Sequence, residues 1–67
     1  MLEVRKVSFD ASKSEWLLEV HEPIPPVGTY CVRFYGKEDD SPEDVRLGAQ
    51  LAMYKRFGVR NFKWEAH

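Results

Sequence analysis

One stretch of this sequence signals a helix at both of its ends, and that limits what the rest of the chain can become. Ser41-Pro42-Glu43-Asp44 offers Ser as N-cap, Pro at the first helical position and acids in the first turn. No proline interrupts Val45 to Phe57, Lys55 and Arg56 sit in the last turn, and Gly58 follows where a left-handed cap residue is wanted. The pattern predicts a helix over residues 42–57. In a chain of 67 residues, one helix of this length leaves room for a single domain spanning 1–67.

The segments before the helix alternate with period two. Trp16, Leu18 and Val20 share one phase against Leu17, Glu19 and His21, and Tyr30, Val32 and Phe34 share one against Cys31, Arg33 and Tyr35. The first segment slips: Leu2 and Val4 hold one phase, Val7 and Phe9 the other, and a β-bulge at Arg5-Lys6 would restore both pairs to one face. Asp10 to Ser14 reads as a polar loop, and Pro23-Ile24-Pro25-Pro26-Val27-Gly28 as a stiff connection. Phe62 and Trp64 suggest a short last strand on the sheet edge. The expected class is α+β: an antiparallel sheet of three to four strands covered by one helix, in the order β-β-β-α-β.

At ~100° per residue, Leu47, Leu51 and Tyr54 fall within about 60° of one another and form the expected core stripe, with Phe57 at its flank. Val45, Ala49, Ala52 and Met53 form the opposite arc. That arc is an ordinary run of helix formers, a partner surface, or a dimer contact through Val45, Ala49 and Ala52. The arcs would exchange roles if the small residues let the helix approach the sheet closely, and Gly48 in mid-helix hints at such a contact.

Chemistry-bearing constellations are sparse. His21 between Glu19 and Glu22 reads as a surface histidine, since a structural zinc site wants four ligands and the chain has one thiol. His67 is expected to be mobile. Cys31 lacks a neighbouring base and reads as a half-buried strand cysteine. Asp39, Asp40, Glu43 and Asp44 suit a helix N-terminus without catalysis. The glycines are isolated, so no phosphate-cradling loop is formed. Pro23-Ile24-Pro25-Pro26 matches the loose P-x-x-P pattern but reads as a rigid loop between strands. The expectation is no enzyme, no metal and no cofactor.

No run approaches the ~20 apolar residues that cross a bilayer, and Met1 to Lys6 lacks an apolar signal core. The expected compartment is cytoplasmic, and the chain reads as a whole small gene product. The total charge of −1 conceals opposed blocks. Glu38, Asp39, Asp40, Glu43 and Asp44 precede or open the helix, while Arg46, Lys55, Arg56, Arg60 and Lys63 follow with no acid among them. Matching the helix dipole does not require so many charges at each end.

Three strands followed by a helix opened by Ser41-Pro42-Glu43-Asp44, with Gly58 to Asn61-Phe62 after it, loosely resembles plant AP2-type DNA-binding domains. Three-strand modules of phage integrase arm-binding domains are similar. The resemblance implies DNA contact through the exposed sheet face, with Arg33 and Tyr35 at the matching positions. In this chain Glu19 and Glu22 put negative charge on or near that sheet.

The favoured expectation is a non-enzymatic protein that binds a protein partner as inhibitor, adaptor or regulator. A phage or mobile-element product acting on a host factor such as a defence complex would be of this kind. The expected contact surface is Tyr54, Arg56, Phe57, Arg60 and Trp64, with the acidic segment around Asp39 and Asp40 as a second. The alternative is a nucleic-acid-binding module using Arg33, Tyr35, Lys55, Arg56, Arg60 and Lys63.

Overall fold

The slip at Arg5-Lys6 is a β-bulge. In the computed structural model, which describes residues 1–66, β1 (Glu3–Asp10) pairs antiparallel with β2 (Glu15–Glu22). Val4 stands opposite Val20 and Val7 opposite Leu18, so three steps on β1 match two on β2. The extra residue brings Val4, Val7 and Phe9 onto one face despite their broken alternation.

β2 continues antiparallel into β3 (Gly28–Tyr35), with Leu18 opposite Val32 and Val20 opposite Tyr30. The chain then crosses the sheet as α1 (Pro42–Phe57) and returns as β4 (Lys63–Trp64). The sheet order is β3-β2-β1-β4. The first three strands form the expected antiparallel meander. β4 joins β1 in parallel, because the helix has carried the chain back to the end where β1 begins.

The helix has its expected bounds and caps. The Ser41 hydroxyl accepts the Asp44 amide at 3.2 Å, and Gly58 at φ 71° donates its amide to the Tyr54 carbonyl at 2.8 Å. Its orientation reverses the expected one. Val45, Ala49, Ala52 and Met53 face the sheet and are buried, whereas Leu47, Leu51 and Tyr54 point outward. Gly48 explains the reversal: a Cβ there would lie 2.5 Å from the Phe34 ring. The helix rests so close over β3 at this point that no side chain fits between it and the Phe34 ring.

Val45, Ala49 and Ala52 are therefore core residues, and the dimer contact expected through them does not exist on the surface. The core joins Leu2, Val4, Leu18, Val20 and Val32 to Ala49, Ala52 and Met53. Leu18, Met53, Val4 and Val20 are fully buried, each burial stabilising the fold by about 1.5–3 kcal/mol. His67 lies outside the described residues.

Candidate functional site

The helix's outward turn creates an exposed apolar ridge. Leu47 is 58% exposed, Leu51 64% and Tyr54 48%, at i, i+4 and i+7 along one side of α1. The Arg60 guanidinium lies 5.1 Å from the Tyr54 ring and extends the ridge past the helix end. Beside it Arg56 stands 5.2 Å from the Phe57 ring, and Phe57 packs edge-on against Tyr30 of β3 at 5.6 Å. Four of the five expected contact residues, Tyr54, Arg56, Phe57 and Arg60, thus gather at the C-terminal end of α1.

Trp64 does not join them. It is half-buried on β4 and packs against the core, with Arg46 of the helix's first half 4.8 Å from its ring. The acidic segment also divides. Asp39 is exposed, whereas the Asp40 carboxylate accepts the Trp16 indole N–H at 3.2 Å and the Lys37 amide at 2.9 Å. Asp40 thereby holds the β3–α1 turn to the sheet. Phe9 closes the other side of the Trp16 ring at 5.0 Å.

The cations expected to bind nucleic acid are spread over three places. Arg33 lies on the open sheet face, 3.5 Å from Asp10 and 3.4 Å from Glu15. Lys55, Arg56 and Arg60 cluster near the helix C-terminus, and Lys63 on β4 pairs with Glu65 at 3.3 Å. Tyr35 is 79% exposed at the end of β3, but its immediate cross-strand neighbour is Glu15. The open face carries Glu3, Asp10, Glu15 and Glu19 interspersed with the cations Lys6 and Arg33.

Asp10 closes the turn between β1 and β2. The Ser12 hydroxyl donates to its carboxylate at 2.6 Å and holds its pKa below the ordinary aspartate value, with smaller help from the Ser12 amide and Arg33. This is the chemistry of a closed turn between β1 and β2. Cys31, expected to be half-buried, is exposed on the open face with Glu19 opposite. Among the described residues no three His, Cys, Asp or Glu side chains converge as metal ligands.

One feature escaped the sequence: β3 is a sheet edge. Gly36 donates to the Ser14 carbonyl at 3.1 Å, so the even-numbered residues of β3 bond to β2 and the odd-numbered ones turn their backbone groups outward. Thr29, Cys31, Arg33 and Tyr35 present these groups along eight residues without proline, lysine or bulge. The alternation that marks a strand does not tell an edge from a centre. The short β4 on the opposite edge has two residues, one of them Lys63.

No protein-family model, no characterised protein and no solved structure matches the chain. Among the described residues no helix is long and apolar enough to cross a membrane.

Proposed function

We propose that this protein is a non-enzymatic binding protein that engages a protein partner, as an inhibitor, adaptor or regulator. The observation that supports the reading is the outward helix ridge. A 67-residue fold needs its large aliphatic side chains for the core, yet Leu47 and Leu51 stand in solvent beside Tyr54 and Arg60. An apolar strip with aromatic and arginine residues at its end has the composition of interface centres, where Tyr and Arg are enriched. Helix-face recognition of this kind uses anchors at i, i+4 and i+7.

The test compares the intact chain with a Leu47→Ser/Tyr54→Ala variant in stoichiometric capture of proteins from a host lysate. A titration with DNA and RNA across salt concentrations runs in parallel. The expected result is a partner retained by the intact chain and lost by the variant, with thermal unfolding little changed. Micromolar nucleic-acid binding with a steep salt slope would overturn the reading in favour of the cation cluster at the helix end. Capture that is indifferent to the ridge substitutions would overturn it as well.

A further inference from the structure

The ridge leaves the β3 edge unexplained, and that edge is self-complementary. We propose that two copies of this chain pair antiparallel through β3, forming one continuous sheet across a two-fold axis at Val32. The inference rests on the strand edge and not on the ridge, with which its seam shares Leu51.

Register carries the argument. Only residues 29, 31, 33 and 35 turn their N–H and C=O groups to the edge. An antiparallel mate satisfies all of them on both strands in one register alone, with Thr29 opposite Tyr35 and Cys31 opposite Arg33 of the second copy. Any slip by one residue leaves every outward group without a partner. A slip by two leaves the end residues unpaired.

The same register matches the side chains. On the helix side, Tyr30 falls opposite Phe34 of the second copy and Val32 opposite its own mate, at the close spacing of non-hydrogen-bonded pairs. Tyr30 is exposed in the single chain and Phe34 is half-buried, so both have surface left to cover. On the open face Arg33 meets Cys31, and its charge is already countered by Asp10 and Glu15. No like charges stand directly opposite.

The helix ends supply charge complementarity. α1 runs antiparallel to β3, with Gly48 over Phe34 and Phe57 against Tyr30. A two-fold pairing of β3 therefore sets the two helices antiparallel on one side of the sheet. The acidic first turn of each, Glu43 and Asp44, comes toward the basic last turn of the other, Lys55 and Arg56. Opposed charges at the two ends of one helix make such a face self-complementary, as an isologous contact uses the same patch on both subunits. A groove of about 370 Å³ between β3 and α1, lined by Phe34, Tyr35, Gly48, Leu51 and Lys55, lies along this seam.

Cys31 provides the probe. In the register proposed, the two Cys31 residues are diagonal neighbours roughly 7–8 Å apart, beyond disulfide reach but within that of a short bis-maleimide. The experiment measures mass by sedimentation over a concentration series up to about 100 μM, a span that detects micromolar association. It is paired with bis-maleimide cross-linking of the native thiol. The expected result is a concentration-dependent dimer that is trapped through Cys31.

Cys31→Lys places lysine opposite Glu19 within the chain but opposite Arg33 in the dimer, so it should leave folding intact and weaken association roughly tenfold or more. Adding Arg33→Glu should restore association by exchanging the repulsion for attraction. Arg33→Pro removes an outward amide that β2 does not use; it should abolish cross-linking while the thermal transition persists. A chain that stays monomeric throughout the series overturns the proposal. So does a dimer indifferent to Cys31→Lys, which would belong to another surface.

Discussion

The two faces of α1 invert the usual division of a surface helix. The inward face is built from Val45, Ala49, Ala52 and Met53, and the outward face from Leu47, Leu51 and Tyr54. Hydrophobic bulk is greater outside. The difference teaches that the inner face was set by distance, not by hydrophobicity: Gly48 lies against Phe34, and the helix must sit low to seal Val4, Leu18, Val20 and Val32. Met53 is the one long side chain admitted beneath it, consistent with the thioether's ability to fill irregular gaps.

This contrast can be broken from the inside first. Met53→Ala should cost about 2–5 kcal/mol of folding stability, as cavity-forming truncations of fully buried Met do, read by urea unfolding with unchanged m-value. The matching truncation outside, Leu51→Ala, should change stability by no more than about 0.5 kcal/mol when measured at low protein concentration. If the two cost the same, the faces have been assigned wrongly.

Adding volume sharpens the contrast. Ala49→Leu inserts bulk under a residue that is fully buried and should destabilise by about 1–3 kcal/mol, although leucine is nearly as good a helix former as alanine. Gly48→Ala sets two effects against each other. Relief of the glycine penalty contributes about 1 kcal/mol, while the new Cβ must displace the Phe34 ring. The expected sum is a net loss of up to about 1 kcal/mol, with a shifted Phe34 ring resonance; a gain of stability would show that the helix is free to rise.

The smallest effect lies far from the helix, in the β1–β2 turn. Because Asp10 titrates below its ordinary range in the folded chain, its ionised form stabilises the fold above the unfolded pKa, and that contribution fades as pH falls through the folded value. Ser12→Ala should move the Asp10 carboxyl back toward the ordinary aspartate range in an NMR titration. The acid limb of the unfolding curve should then lose its slope from this residue.

The local elements of this protein were legible because their causes are local. Ser41, Pro42 and Gly58 mark the helix ends through hydrogen bonds and dihedral preferences that act within a few residues. The bulge at Arg5-Lys6 was legible because a broken alternation has one economical repair. Tyr54, Arg56, Phe57 and Arg60 could be grouped because they lie within two turns of one helix end. Trp64 and Asp40 could not be placed in the same way, since their partners, Arg46 and Trp16, come from distant segments.

What the sequence determined by itself is the set of elements, their order and the opposed charges at the two ends of α1. Tertiary structure alone decided which side of α1 faces the sheet, and that β3 is an edge strand along its whole length while β1 is covered by β4 only at Glu3 and Val4. Periodicity defines two opposite faces of a helix or strand but not which of them meets a neighbour. That choice is made where Gly48 meets Phe34, across fourteen residues of chain, by how closely two surfaces can approach.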